Sequence, residues 1–233
     1  MTTAVDHELD NPVLHSLTGA HRGLALRDGR VARFDPEVAP FMAVPDDAEE
    51  DDWRGLARLT RGVPGLIFRP AADLPADWKI IHRIEGVQMV GIKTRAWTAE
   101  DISVLGPADV PEMRELAAVG EPGPFGARTA ETGTYLGIRK QGRLVAMAGE
   151  RFQTEHWVEV SAVCTHPDWR GRGYATKLVA ALADHVRGRG KEPFGHVVGA
   201  NTSALRLYEE LGCEVRRSVQ ATEAVPLDLA PPV

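Results

Sequence analysis

The sequence predicts an α/β fold made of two units that meet near residue 98. Seven prolines are spread over the first 97 residues, which leaves little room for long helices. Beyond that point, strand-like and helix-like patterns alternate with clear start and stop signals. A turn containing Gly171 and Gly173 joins a strand-like run to an amphipathic run. We therefore predict a smaller accessory domain at residues 1–98 and a main domain at residues 99–233.

Composition and charge exclude several classes of protein. The 233 residues are 43% apolar and 26% charged, enough to bury a core without a disulfide or metal. The net charge of -6 has the wrong sign for coating nucleic acid or an acidic membrane. The longest aliphatic run, 178–183, is far shorter than the ~20 residues that cross a bilayer. We expect neither nucleic acid nor membrane among the partners.

Cysteine usage and the N-terminal segment favour the cytoplasm. Cys164 and Cys213 are too few for a disulfide framework and lack the spacing of a zinc site. The eight histidines form no metal-binding spacing either, so no metal is expected. Residues 1–12 are acidic and have neither the basic nor the apolar region of a signal peptide.

The first unit contains a predicted β-hairpin, with strands at 23–27 and 30–34 flanking Asp28 and Gly29. A further strand is predicted at 86–92. The acidic run 46–52 is interpreted as a solvated loop or a helix start, with a weak cation site as the alternative.

The second unit shows a regular order of elements. Residues 157–165 alternate, which predicts Glu159, Ser161, Val163 and Thr165 on one face of a central strand, with Val158, Val160, Ala162 and Cys164 on the other. The remaining predictions are strands at 102–105, 134–139, 142–152, 194–198 and 214–219, helices at 108–119, 203–211 and after the glycine turn to 188, and an ordered loop at 120–128.

The glycine turn is a candidate anion site. Gly171 and Gly173 let backbone N–H groups turn inward, and the following helix points its positive end at the same place. Arg170 and Arg172 add formal charge, so a pyrophosphate is the expected guest. The alternative is an ordinary strand-turn-helix with solvated arginines. Neither a GxGxxG nor a GxxxxGK[ST] fingerprint is present.

Two segments resemble the GCN5-related N-acetyltransferases (GNAT). Residues 163–175, with the run RGRGYA, are similar to the family's R/Q-x-x-G-x-G/A motif after a strand. The segment NTSALRLYEELG resembles its N-x-x-A-x-x-x-Y-x-x-x-G helix through Asn201, Ala204, Tyr208 and Gly212. The segments EVSAVCTHPDWRGRGYA, YLGIRKQGRLVAMAGER and PGPFGART are similar to the FR47-like branch. Cys213 replaces the Phe usual after the glycine, a change that concerns packing.

The resemblance covers most of 99–220 and implies a GNAT-like mixed central sheet flanked by helices. The first unit is similar to the front extension of two-domain members, and a degenerate half of the same fold is one interpretation. The resemblance also implies an enzyme that moves an acetyl group directly from acetyl-CoA to a primary amine of a small molecule, amino acid or peptide. A homodimer is left open.

The residues expected to bind acetyl-CoA come from both motifs. Backbone N–H groups at the end of the central strand would stabilise the oxyanion, because the strand at 194–198 is expected to splay away from them. Asn201 is expected to contact the donor, with a simple helix N-cap as the alternative. The full set is Val163, Cys164, Thr165, Arg170, Gly171, Arg172, Gly173, Tyr174, Ala175 and Asn201.

The resemblance implies that Glu159 and Tyr208 are the catalytic residues. Glu159 would act as the base, directly or through a water, with its pKa raised by burial; the alternative is a surface carboxylate, and Glu150 is the reserve candidate. Tyr208 would protonate the departing thiolate, unless it is only a core tyrosine. Cys164 is disfavoured as a nucleophile because it alternates away from Glu159.

The acceptor side is expected to be closed by the loop at 120–134 and the first unit, and His196 could line it. Mutation of Thr129 or Glu131 is expected to alter the acceptor KM with little change in acetyl-CoA affinity. Two alternatives stay open. One is a non-catalytic acyl-CoA sensor or interaction module of the same fold, and the other is an enzyme that transfers a different acyl group.

Overall fold

The computed structural model describes residues 6–69, 74–93 and 101–227. Eleven strands form one mixed sheet in the order β1-β2-β3-β4-β11-β5-β10-β9-β8-β7-β6. The strands are β1 (Ala25–Asp28), β2 (Val31–Phe34), β3 (Phe41–Ala43), β4 (Gly65–Arg69), β5 (Trp78–Val90), β6 (Ile102–Leu105), β7 (Tyr135–Lys140), β8 (Arg143–Gln153), β9 (Trp157–Thr165), β10 (Glu192–Val198) and β11 (Glu214–Pro226).

In the described part of the chain, five α-helices flank the sheet. The acidic run 46–52 leads into α2, where the Glu49 N–H donates to the Asp52 carboxylate at 3.0 Å in a capping box, so the helix-start interpretation is confirmed. The helices are α1 (Pro12–Thr18), α2 (Glu50–Thr60), α3 (Val110–Gly120), α4 (Tyr174–Gly188) and α5 (Thr202–Glu210). Within the described ranges, the model contains no helix with the length and hydropathy needed to cross a bilayer.

Beyond residue 101, every predicted strand and helix is present. Their ends agree within two residues, except that β11 continues to Pro226. In the first unit the predicted hairpin is confirmed, although its two-residue turn is Gly29 and Arg30 rather than Asp28 and Gly29. The strand expected at 86–92 is the end of a longer β5 that begins at Trp78. Residues 79–85 lack an alternating apolar pattern because they are largely exposed, so this part of β5 carried no sequence signal.

The two predicted units share the sheet. β5, from the first unit, lies between β10 and β11 of the second, antiparallel to both. β11 also pairs with β4, which links the front strands to the same sheet. The division at 98/99 stays a prediction, and residues 94–100 lie outside the described residues.

A bulge in β9 changes the predicted faces of that strand. Ala162 has a φ of 50°, and one extra residue lies between the pairs Ser161–Gly149 and Cys164–Met147. Val163 therefore packs with Val160 in the cluster against α4. Ala162 and Cys164 pack instead with Met113 and Ala117 of α3. The strict alternation predicted for 157–165 is wrong beyond Ser161, because a bulge shifts the side-chain period by one.

Candidate active site

β9 and β10 separate midway and leave a gap in the sheet. Their parallel pairing covers only Glu192–Phe194 against Trp157–Glu159, whereas β10 stays paired with β5 as far as Val198. The predicted splaying of the strand at 194–198 is confirmed. Tyr208 of α5 lies at this gap, and its hydroxyl donates to the Val160 carbonyl at 3.4 Å.

The bulge decides which main-chain groups face the gap. The His166 N–H donates to the Val145 carbonyl at 2.8 Å, so the main-chain N–H of residue 166 faces β8. Alternation along an antiparallel strand then turns the Cys164 N–H toward β8 as well, and the N–H groups of Val163 and Thr165 toward the gap. Of the three predicted oxyanion donors, Val163 and Thr165 have the required orientation and Cys164 does not.

The glycine turn has the backbone conformation expected of an anion cradle. Gly171 and Gly173 both have a φ of 73°, and a Cβ built at either position would meet no atom within 4 Å. A side chain there would project into open space in front of α4. That helix begins at Tyr174 without a side-chain cap, so its first N–H groups remain available to a ligand.

Arginine and aromatic side chains border the turn. The Arg172 guanidinium lies 4.6 Å from the centre of the Trp169 ring, and Trp169 stacks on Tyr174. Arg170 donates from Nε to the Thr165 carbonyl at 3.3 Å and remains exposed. Positive charge therefore faces the same open space as the helix N-terminus.

All ten predicted donor-binding residues line one cleft of about 580 Å³, together with Tyr208. The Asn201 side chain accepts from the Ala204 N–H at 3.0 Å, which confirms its N-cap role. Sequence reasoning did not assign to the cleft Gly120, Glu121, Trp169, Thr176, Ser203, Ala204 and Leu207. The motif neighbourhood could have indicated those on α4 and α5, but Gly120 and Glu121 come from the distant end of α3.

Tyr208 is buried beside the gap. Burial raises the pKa of its phenol well above the ordinary value, with a further contribution from the charge of Glu159. The hydroxyl is therefore protonated at neutral pH, the form that can donate a hydrogen bond. Gly195 makes room for the ring, because a Cβ at that position would lie 3.1 Å from Tyr208 atoms.

Glu159 is fully buried and held by two basic side chains. Its carboxylate accepts from Arg151 Nε at 2.7 Å and Nη2 at 2.5 Å, and from His196 Nδ1 at 2.7 Å. Burial alone would raise the pKa of Glu159, but the charge of Arg151 and these hydrogen bonds lower it to about 2. The predicted rise in the pKa of Glu159 is wrong, because the buried carboxylate lies against the guanidinium of Arg151. The surface-carboxylate alternative is wrong as well.

A hydrogen-bonded network continues from Glu159 into the first unit. His196 Nε2 lies 3.1 Å from the Gln88 amide nitrogen, which also donates to the Leu9 carbonyl at 2.8 Å. Gln88 Oε1 accepts from Arg216 at 2.9 Å, which fixes the amide orientation. His196 therefore accepts at Nε2 and donates from Nδ1 to Glu159. Burial lowers the pKa of His196, and the ring is neutral at pH 7.

Two other candidates have structural partners. Glu150 is buried, pairs with Arg189, and accepts from the Thr134 N–H at 3.2 Å. It lines neither the cleft nor the cavity described below. Burial raises the pKa of the Cys164 thiol to about 12, so a thiolate is strongly disfavoured there.

Glu8, Glu155 and His156 bring potential metal ligands within 4.8 Å of one another. The Glu8 carboxylate already accepts from Thr154 and from His156 Nδ1, at 2.7 Å for the histidine. The group therefore has an internal explanation, and the expected absence of a metal stays a prediction.

A second cavity, of about 170 Å³, lies on the other side of β9. The first unit contributes Phe41, Leu66 and Phe68, and residues 122–124 contribute Pro122, Gly123 and Pro124. Arg151, Ser161 and His196 also line it. Both β9 and the segment 120–124 contribute residues to the cleft and to this cavity. In that segment, Gly120 and Glu121 line the cleft, whereas residues 122–124 line the cavity.

Thr129 and Glu131 do not line this cavity. The Thr129 hydroxyl donates to the Val38 carbonyl at 2.6 Å and accepts from the Gly126 N–H at 2.7 Å. Glu131 pairs with Arg128 on the surface. This end of the loop fastens the second unit to the first, and the predicted effect of Thr129 and Glu131 on the acceptor KM stays a prediction.

Comparisons with known proteins agree with this geometry. The family model of FR47-like protein matches residues 135–222. An acetyltransferase described as from the GNAT family of Novosphingobium aromaticivorans is 37% identical, with a TM-score of 0.86 over 95% of this chain and 99% of that one. A GCN5-related N-acetyltransferase from Kribbella flavida, 16% identical, has a TM-score of 0.60 over 93% and 96% of the two chains, and supports the fold.

The fold and the site therefore define the class of protein: an α/β acyltransferase with a cleft where two neighbouring strands of the sheet separate. The chain belongs to the GNAT family of acetyltransferases. Among curated proteins, none matches this chain.

Proposed function

We propose that the protein is an N-acetyltransferase that moves an acetyl group from acetyl-CoA directly to a primary amine. One observation carries the proposal: the donor cleft and the smaller cavity lie on either side of the bulged part of β9. Val163 lines the cleft and Ser161 lines the cavity, two residues apart on the same strand. An acyl donor and an amine bound on the two sides would approach each other there.

The cleft residues fit a CoA thioester, which would supply the activated acetyl group. The open N–H groups at the start of α4 and the exposed Arg170 and Arg172 would hold the pyrophosphate. The open edge of β9 would pair with the amide-containing arm, as an added strand does. A bulkier residue at Gly171 or Gly173 would occupy the same space.

Attack by the neutral amine forms the C–N bond and places negative charge on the carbonyl oxygen. The Val163 N–H faces this region and would donate to that oxygen. When the C–S bond breaks, Tyr208 would donate a hydrogen bond, and then a proton, to the departing sulfur. Its raised pKa keeps the hydroxyl protonated, although it makes Tyr208 a weaker acid than an exposed tyrosine.

Glu159 has a different part in this proposal from the base expected from sequence. A carboxylate whose pKa is about 2, with hydrogen bonds from Arg151 and His196, has little tendency to take a proton from an ammonium. We assign it to positioning Arg151 and His196 at the cavity. The acceptor would lose its first proton to water before attack, and its second after the C–N bond forms.

The test is calorimetric titration with acetyl-CoA and with desulfo-CoA, followed by a screen of primary amines for released thiol. Tight binding of both CoA species and thiol release that depends on an amine are expected. Absence of CoA binding would overturn the donor site. Binding without turnover by any amine would favour the non-catalytic sensor.

A further inference from the structure

We propose that the 170 Å³ cavity takes a small α-amino acid with an apolar side chain, and that Arg151 binds its carboxylate. This assignment rests on the proposed function, because it names the acceptor class for that reaction. The cavity walls are mostly apolar, but the charged side chain of Arg151 is among them.

The walls are predominantly apolar and the space is small. Residues of seven strands and of the 122–124 segment line it, among them Phe41, Leu66, Phe68, Pro122, Pro124, Val219 and Ala221. A volume of about 170 Å³ is well below the ~300 Å³ at the lower end for drug-sized ligands. The cavity thus favours a compact acceptor with an apolar body.

Arg151 is the one arginine or lysine among the described residues that line the cavity. Its guanidinium lies 4.8, 5.5 and 4.7 Å from the ring centres of Phe41, Phe68 and Phe152. Nε and Nη2 donate to Glu159, whereas Nη1 makes no hydrogen bond to any residue in the described ranges. Arg151 therefore brings an N–H donor group that is not used within the described residues to a predominantly apolar cavity.

An apolar ligand that displaced water from Nη1 would leave a charged donor without a partner. Leaving a charged donor desolvated and without a partner is more costly than leaving a neutral one so. A ligand that brings a carboxylate supplies acceptor oxygens and forms charge-assisted hydrogen bonds. Glu159 already offsets the charge of Arg151, so these directed hydrogen bonds, rather than net charge, would select the ligand.

The other charge at the cavity suits the opposite end of a zwitterion. Glu85 is the one carboxylate among the described lining residues, and it is exposed. It accepts a hydrogen bond from the neutral Gln220 amide at 2.5 Å. An ammonium arriving from solvent would be attracted to Glu85, while Arg151 would hold the carboxylate inside.

The decisive experiment compares leucine with 3-methylbutylamine, which lacks only the carboxylate, and with leucinamide. Acetylation by the whole protein is expected to show kcat/KM at least tenfold higher for leucine than for either analogue. Equal or faster acetylation of 3-methylbutylamine or leucinamide would overturn the carboxylate assignment and leave the proposed transferase intact.

A binding measurement separates the two proposals. Leucine is titrated into the protein saturated with desulfo-CoA, with 3-methylbutylamine as the comparison. Selective binding of leucine without turnover of any amine would support the cavity ligand and overturn the transferase. Turnover of other amines with no leucine binding would do the reverse.

Variants then test Arg151 itself. Arg151→Gln is expected to raise KM for leucine at least tenfold more than it raises KM for 3-methylbutylamine. Arg189→Gln is the matched control, because Arg189 also pairs with a buried glutamate, Glu150, but lies outside the cavity. If Arg151→Gln fails to fold, the double variant Arg151→Gln/Glu159→Gln removes both charges. Equal effects on the two acceptors would overturn the assignment.

Discussion

The buried carboxylate of Glu159 and the guanidinium of Arg151 form a side-on pair through two hydrogen bonds, of 2.7 and 2.5 Å. The pair bridges adjacent strands, β9 and β8, and Arg151 lines the 170 Å³ cavity. Because Glu159 is completely buried, its charge depends on the Arg151 guanidinium for compensation and on a hydrogen bond from the neutral His196 ring. Replacing this carboxylate is therefore expected to affect stability and catalysis in different ways.

The first prediction concerns stability and pH. The pKa of Glu159 is about 2 in the fold, below the ordinary 4.5, so its contribution is present above about pH 4.5 and is lost as pH falls toward 2. Glu159→Gln is expected to lower the free energy of unfolding by about 3–5 kcal/mol at pH 7, since it strands a partner charge. Urea unfolding at several pH values should show this difference shrinking toward pH 2.

The control for that series is Glu155→Gln, which changes an exposed carboxylate. A Glu159→Gln deficit that stayed constant from pH 7 to pH 2 would contradict the assigned direction of the pKa shift.

The second prediction separates a positioning role of Glu159 from a proton-accepting role. Glu159→Gln is expected to raise KM for the amine and to leave the shape of the kcat/KM profile unchanged between pH 5 and pH 9. The reason is that Glu159 stays ionised throughout that range. If a pH-dependent limb of the kcat/KM profile were present in the original protein and absent in the variant, Glu159 would be assigned as the base.

The sequence predicted the residues of the cleft better than those around the 170 Å³ cavity. Gly171, Gly173 and Tyr174 are chain neighbours at a strand-to-helix turn, so local backbone rules placed them correctly. Tyr208 and Asn201 lie on one short helix with a recognisable spacing. Each of these positions depended on local structure and on one helix packing at the gap.

The partners of Glu159 could not be found in the same way. Arg151 reaches it through a pairing of β8 and β9 that contains two register shifts. Gln88 reaches His196 because β5 of the first unit is inserted beside β10. The Ala162 bulge has no glycine to indicate it, so the change of face beyond Ser161 was also hidden. Strand order and bulges are set by long-range packing, which a periodic pattern does not encode.

The third prediction tests the anion cradle. Gly171→Glu would place a carboxylate in the open space before α4, where it would repel phosphate and compete for the same N–H groups. Calorimetry is expected to show at least a 100-fold loss of acetyl-CoA affinity. Gly190→Glu is the matched control, because Gly190 has a φ of 74° and equally open surroundings outside the cleft. An equal loss in both variants would point to strain rather than to the cradle.

The fourth prediction concerns the fastening of the loop. Thr129→Val keeps the shape of the side chain but removes the hydrogen bonds to the Val38 carbonyl and from the Gly126 N–H. Because these groups are buried, a loss of about 1–3 kcal/mol in unfolding free energy is expected. Glu131→Gln, at an exposed ion pair, should stay within about 0.5 kcal/mol. Equal urea midpoints for the two variants would contradict the fastening role.

The fifth prediction concerns proton donation by Tyr208. Tyr208→Phe removes the hydroxyl at the gap, which is expected to lower kcat on the order of 10²-fold and to leave acetyl-CoA affinity within a few fold. Loss of the 3.4 Å hydrogen bond to Val160 should cost only about 1 kcal/mol of stability. Tyr135→Phe is the control, because Tyr135 is also buried and hydrogen-bonded but lies outside the cleft. Steady-state rates, calorimetry and thermal unfolding of both variants make the comparison. An unchanged kcat in Tyr208→Phe would assign protonation of the leaving thiolate to solvent and leave Tyr208 a packing role.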